Sequence, residues 1–184
     1  MQTMSDEQLV GLAQQGDRDA LGELLGRYRQ QVFAVTFRIL SRRDEALDAT
    51  QETLLRAFRY IGGFQSSRSF GPWIRRVAVR AALDQAKRGG KERPSNQEPD
   101  QLADSSGDPY RQAVRTELAD AIRLAFALLS PSQRAAFSCK EIDGMDTRRT
   151  ARAMGCSQAT VRWHLYQAKK RLAQALAGCE RGGP

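Results

Sequence analysis

The sequence predicts an all-α protein of two small helical domains joined by a flexible linker, and three observations lead there. Apolar residues recur at helical spacing in both halves of the chain, and no segment alternates convincingly as a strand does. Between the halves lies GGKERPSNQEPDQLADSSGDP, residues 89–109, with three prolines, three glycines, three serines and hardly any large apolar side chain. A stretch of that composition cannot bury a core, and structureless loops of about 20 residues are uncommon inside one compact domain, so it marks a boundary. The expected division is 1–90, 91–109 and 110–184. A chain of 184 residues is long enough for two such units.

In the first unit, residues 17–41 place apolar or aromatic side chains at 21, 24, 25, 28, 32, 35 and 39, one stripe of a long helix. Residues 44–61 continue with Ala46, Leu47, Leu54, Ala57, Phe58 and Ile61, all expected inward, and Gly62-Gly63 stops that helix. A third helix is expected from Gly71 to Arg88, with Pro72 in its first turn and Trp73, Ile74, Val77 and Ala81 inward. In the second unit, Val114, Leu118, Ala121, Ile122, Ala125, Leu128 and Leu129 mark one amphipathic helix, and Ser130-Pro131 opens the next.

Two short helices follow, separated by Gly155-Cys156-Ser157. Gly155 stands where a helix end requires positive φ, and Ser157 is a suitable N-cap. In the last helix Val161, Leu165, Ala168 and Leu172 share one face, which leaves Gln158, Ala159, Arg162, Trp163, Tyr166, Gln167, Lys169 and Lys170 outside, with Lys169, Lys170 and Arg171 expected mainly at phosphates. A helix-turn-helix has this layout, its second helix entering the major groove. Arg and Gln can each make two hydrogen bonds to a base edge there. The alternative is a helical hairpin with a basic skin covering a core.

Charge favours a polyanionic partner. The net charge is +8, and from Thr147 to Leu172 there are seven basic residues and no acidic one. From Arg59 to Lys91 there are eight basic residues against Asp84 alone, interleaved with Phe64, Phe70 and Trp73. Basic side chains with aromatic faces among them suit single-stranded nucleic acid. Phe64, beside Gly62-Gly63 in a Ser-rich loop, is expected to touch DNA, whereas the spacing of Trp73 with Ile74 and Val77 favours the core. No P-loop, HExxH or deaminase motif occurs and the chain has one His, so an enzyme is not expected. The longest apolar run, LAFALL at 124–129, is far too short to cross a bilayer, and the N-terminus has no leader-like apolar segment. Membrane insertion is therefore not expected, and the expected location is the cytoplasm. Cys139, Cys156 and Cys179 form no CxxC pair and read as reduced thiols. Cys156 and His164 would stand about 10 Å apart along a helix at about 1.5 Å per residue, too far to share a metal, and neither metal nor cofactor is expected.

Three stretches in order resemble the extracytoplasmic-function (ECF) sigma factors of bacterial RNA polymerase. DEALDATQETLLRAFRYI resembles the family's region 2.2 in Asp48, Gln51 and Glu52. FQSSRSFGPWIRRVAVRAALDQAKR resembles regions 2.3 and 2.4 in Phe64, Phe70, Trp73, Asp84 and the terminal basic cluster. LLSPSQRAAFSCKEIDGMDTRRTARAMGCSQATVRWHLYQAKKRL resembles region 4 in Thr160, Val161, Arg162, Ala168, Lys169 and Leu172. The resemblance implies that residues 1–90 are sigma region 2 and residues 110–184 sigma region 4. It implies core-polymerase binding, to the β and β′ subunits, by Asp48, Gln51, Glu52 and Leu55. It implies −10 DNA binding by Phe64, Arg75, Arg76, Arg80, Lys87 and Arg88. The exposed face of the last helix would bind the −35 element, and an anti-sigma factor would exert control. Arg149-Thr150-Ala151 stands where the family often has Glu-Ile-Ala, Arg80 where an Asn is common, and Gln167 near a frequent Arg. The competing reading is a stand-alone helix-turn-helix regulator, which would have no need of Asp48, Gln51 and Glu52.

Overall fold

The computed structural model describes residues 4–65, 68–89 and 124–180. The expected linker and the helical stripe from Val114 to Ile122 lie outside the described residues. Every regular element among the described residues is helical.

The first unit holds four helices: α1 Asp6–Gln14, α2 Arg18–Leu40, α3 Arg43–Tyr60 and α4 Phe70–Arg88, with a short turn of helix at Ile61–Gly63. The sequence expectations did not include α1, whose nine residues give too short a stripe to stand out. Its start is set locally, because Ser5 and Gln8 bond each other's backbone N–H in a capping box. Leu9, Val10 and Ala13 then bury against the bundle. Helix α2 starts at Asp17, whose carboxylate accepts from the N–H groups of Asp19 and Ala20. Its predicted stripe is inside, with Leu21, Leu24, Val32, Val35 and Ile39 buried and Leu25 and Tyr28 packed at the edge.

Helix α3 departs from its expected stripe. Its buried residues are Ala46, Ala49, Thr50, Thr53 and Ala57, whereas Leu47 and Phe58 are 45% and 50% exposed. Small side chains allow α3 to approach α2 and α4 closely, and this contact takes the core face. The buried threonines cost little because their hydroxyls are paired. Thr50 Oγ1 donates to the Ala46 carbonyl at 2.7 Å, Thr53 Oγ1 to that of Ala49 at 2.7 Å, and Thr36 and Thr50 hydroxyls lie 2.9 Å apart.

Helix α4 opens with Phe70, Gly71 and Pro72 and buries Phe70, Ile74, Ala78, Ala81 and Ala82. The Tyr28 ring lies so near Gly71 that an added Cβ would sit 3.1 Å from it.

In the second unit a helical turn at 124–127 leads into α5 Pro131–Phe137, α6 Thr147–Met154 and α7 Gln158–Glu180. Ser130 and Gln133 form a second capping box at α5, with Pro131 in its first turn. The chain then winds more widely through Ser138–Ile142, Asp143 N–H reaching the Ser138 carbonyl at 2.8 Å. Asp146 caps α6.

The two units are packed on each other: α5 lies against α2 and α4, and α6 against α4. Apolar residues of both, Ile39 and Ile74 with Ala135, Cys139 and Met154, belong to one continuous core. Among the described residues, three polar contacts cross the seam. Arg38 Nη2 is 3.2 Å from Asp143 Oδ1, Arg134 Nη1 donates to Ser41 Oγ at 2.7 Å, and Arg80 Nη1 donates to the Met154 carbonyl at 3.1 Å.

Candidate nucleic-acid interface

The helix-turn-helix forms as its local signals require. Gly155 ends α6 with φ 65°, and Ser157 Oγ accepts from the Thr160 N–H at 3.0 Å. Val161 and Ala168 are fully buried and Leu165 nearly so, which fixes the rotation of α7. Arg162, Trp163 and Tyr166 are therefore on the outer face. Trp163 is 56% and Tyr166 64% exposed, and the Trp163 ring meets His164 edge to face at 5.0 Å. Gln158 is exposed and Gln167 half-buried beside them. This apolar and polar face, with Arg162 on it, suits a groove edge.

The basic residues at the end of that face differ from one another. Lys170 is exposed, whereas Lys169 Nζ is paired with Glu141 at 2.9 Å. Arg171 Nη1 donates to the Leu128 carbonyl at 3.1 Å and to Gln133 Oε1 at 3.3 Å. Arg171 is exposed, and through these bonds it also ties α7 to the start of α5. On α6, Arg148, Arg149 and Arg152 are exposed. Sequence reading did not single out these three as site residues, although the acid-free run from Thr147 to Leu172 was the available signal. Asp146, beside them, is held below the usual carboxylate range chiefly by the Arg149 N–H that it accepts.

A second basic strip lies on α4. Lys87 and Arg88 are exposed at its C-terminal end, while Arg75 and Arg76 are half-buried. Arg80 reaches across to the second unit. Phe64, expected to touch DNA, is 6% exposed in this structure and faces Trp73 at 5.1 Å and Phe70 at 5.7 Å between ring centroids. Gln14 Nε2 donates to the carbonyls of Ile61 and Phe64 at 3.0 and 2.6 Å and so pins the loop inward. Trp73, expected inside, is half-buried in the same aromatic cluster. Neither ring stands free to stack on a base in this arrangement.

On α3, Asp48 and Gln51 are exposed, and Leu55 is 44% exposed. Glu52 Oε1 accepts from Arg56 Nε at 2.8 Å, and Arg56 Nη1 donates to Asp84 Oδ2 at 2.9 Å, a chain of charges that ties α3 to α4. Gln30, Phe33, Leu47, Gln51 and Leu54 line a groove between α2 and α3. Leu47, Leu55 and Phe58 are exposed on the same side of α3 as Gln51.

The thiols are chemically unequal. Burial, with the nearby Asp143 charge second, pushes the Cys139 thiol up to about 12. Burial raises Cys156 as well, with Arg80 opposing it. At pH 8 the Cys139 thiolate fraction is about a thousandfold below that of an ordinary thiol. Iodoacetamide followed by site-resolved mass spectrometry is expected to label Cys156 while Cys139 stays unmodified until the chain unfolds. Equal labelling rates at the two sites would contradict the packing described around Cys139.

Two helical units, one carrying a helix-turn-helix and each carrying a basic strip, make a fold suited to a nucleic-acid partner. Residues 24–92 match the model of sigma-70 region 2 and residues 119–172 that of sigma-70 region 4. The chain is 33% identical over 176 residues to the ECF RNA polymerase sigma factor SigM of Mycobacterium tuberculosis, covering 94% of this chain and 85% of that one. It is 26% identical over 180 residues to the RNA polymerase sigma-H factor of Pseudomonas aeruginosa, covering 93% of each. The fold is similar to that of the sigma factor RpoE of Bartonella quintana, solved in complex with the anti-sigma factor NepR. The TM-score there is 0.60 at 20% identity, covering 85% of this chain and 96% of that one. The chain belongs to the ECF sigma factors of RNA polymerase. It binds core RNA polymerase and directs promoter-specific initiation of transcription; a stand-alone regulator is not favoured. No helix among the described residues is long and apolar enough to cross a membrane.

Proposed function

We propose that the three faces divide the work of initiation. The exposed face of α3, with Asp48, Gln51, Glu52 and Leu55 and the apolar side chains Leu47 and Phe58, meets the β and β′ subunits of core polymerase. The strip on α4, with Arg75, Arg76, Arg80, Lys87 and Arg88, holds the −10 element. The outer face of α7 reads the −35 element through Arg162, Trp163, Tyr166 and Gln167, with Gln158 at the groove edge and Lys169 and Lys170 near phosphates. The protein performs no catalysis of its own and acts in the cytoplasm. An anti-sigma factor controls it, a reading supported by the partner named for the Bartonella structure.

The observation that carries this reading is the α7 face, where Trp163 and Tyr166 remain 56% and 64% exposed beside Arg162 while Val161 behind them is fully buried. An exposed pair of large aromatics on a basic helix makes physical sense against the groove wall and thymine methyls. The test uses purified core polymerase with this chain on a randomised upstream element. Gln167→Arg is expected to move one preferred base pair from adenine toward guanine, a change of about 1–3 kcal/mol. Lys170→Ala is expected to weaken all sequences alike and to lower the salt slope by about one. Lys169→Ala should lower the slope less, because Glu141 already neutralises that charge. If Gln167→Arg weakens every sequence equally, α7 holds the backbone and does not read bases.

A further inference from the structure

We propose that Tyr60, at the end of α3, is the platform on which an unstacked base of single-stranded DNA lies while the α4 strip holds the strand. The inference rests on reading that strip as a DNA-binding face, and it fills the role that neither Phe64 nor Trp73 can take.

The ring is exposed where its place on the helix would bury it. At about 100° per residue, Tyr60 falls among Ala49, Thr53 and Ala57, on the side of α3 that faces the bundle. Yet it is 64% exposed, more than any other aromatic side chain among the described residues of the first unit. Among the described residues its ring meets no other ring and its hydroxyl makes no hydrogen bond. The space beyond it is open, because a Cβ added at Gly62 or Gly63 would meet nothing within 4 Å. The ledge is nevertheless held firmly, since Gln14 Nε2 donates to the carbonyls of Ile61 and Phe64 on the turn that follows.

Tyr60 belongs to the α4 side of α3, not to the side assigned to polymerase. It lies about 140–160° around the helix from Leu47, Leu55 and Phe58. Arg56, one turn earlier and about 40° away, reaches Asp84 of α4 at 2.9 Å. Nearer the start of α3, Glu45 Oε1 is 4.0 Å from where a Cβ on Gly89 would stand, so the two helices run antiparallel. One further turn of α3 therefore brings Tyr60 level with Val77 and Arg80. Val77, expected inward, is half-buried, so an apolar side chain stands at this level of α4 as well. Arg59 and Arg68 are exposed on the two sides of the turn in sequence, and Arg76 is half-buried on α4. An open ring among cations is what a single strand requires, because stacking accepts any base while the cations neutralise phosphates.

The test uses the full chain assembled with core RNA polymerase, and a short single-stranded oligonucleotide of mixed sequence carrying one 5-iodouracil. Tyr60→Ala is expected to lower the affinity that this chain adds to core polymerase about tenfold, with the melting temperature and the affinity for core unchanged. Tyr60→Phe and Tyr60→Trp keep a π-face and should bind as well as wild type or better. Tyr60→Leu is apolar without a π-face and should behave as Tyr60→Ala. Irradiation should join the iodouracil to Tyr60 in the wild-type chain, located by peptide mass spectrometry, an adduct that a merely structural role would not give. Wild-type binding by Tyr60→Leu, absence of the adduct at Tyr60, or weakened core binding by Tyr60→Ala overturns the proposal. Arg76→Ala combined with Arg88→Ala separates it from the reading beneath it. If that variant weakens oligonucleotide binding and Tyr60→Ala does not, the strip stands and the platform falls. If Tyr60→Ala weakens binding and the arginine variant does not, the platform stands and the strip falls.

Discussion

Val161→Asp is expected to unfold the second unit and abolish binding to the upstream element, whereas Trp163→Ala, two residues on, should abolish binding and leave the fold intact. Val161 has no exposed surface and sits in the continuous core with Leu165, Ala151 and Met154. An aspartate there is either ionised without a partner or protonated against apolar neighbours. Leaving a charge buried and unpaired costs about 3–5 kcal/mol, a large part of the stability of a small helical unit. Thermal unfolding should show an early transition, and Cys139, which shares that core, should become alkylated. Trp163 is more than half exposed and has an edge contact to His164. Its removal should change stability by no more than about 0.5 kcal/mol, while the upstream element loses its aromatic contact. Binding of a −35 duplex by fluorescence anisotropy, run beside the melting curves, separates the two. A Trp163→Ala protein that melts early would show that this ring supports the fold.

The second large effect is expected on α3. Leu55→Asp combined with Phe58→Asp should lower affinity for core polymerase by a factor of about 100 or more, with thermal stability near wild type. The two side chains are 44% and 50% exposed, so charging them leaves the bundle core untouched. At an interface, large apolar groups that become fully desolvated contribute about 2 kcal/mol or more each, and a carboxylate in their place also has to be desolvated. Gln51→Ala, on the same face, should cost less. Glu52→Ala should weaken both polymerase binding and stability slightly, because Glu52 is joined to Arg56 and through it to Asp84. Co-purification with core enzyme and surface plasmon resonance measure the first effect, and chemical denaturation the second. Unchanged affinity for polymerase in the double variant would remove α3 as the docking face.

Sequence alone determined whatever depends on short-range chemistry. The helical stripe of α2, Gly155 in the left-handed region, the Ser157 cap and the Val161–Leu165–Ala168 stripe follow from rules acting over one or two turns, and each stands as expected. The family was legible for the same reason, since its motifs are local strings in a fixed order. Only the tertiary structure decided which of several available faces each helix would bury. On α3 the small residues Ala46, Ala49, Thr53 and Ala57 won the core over Leu47 and Phe58, because two neighbouring helices demanded close approach more than apolar bulk. Phe64 went inward because Gln14, some fifty residues earlier, holds its loop by the backbone. Arg80, Arg134 and Arg171 look alike as free cations in the sequence, yet each is engaged by a group distant in the chain: the Met154 carbonyl, the Ser41 hydroxyl, and the Leu128 carbonyl with the Gln133 side chain. A side chain's periodicity fixes its direction around its own helix; what it meets there depends on how the helices are stacked.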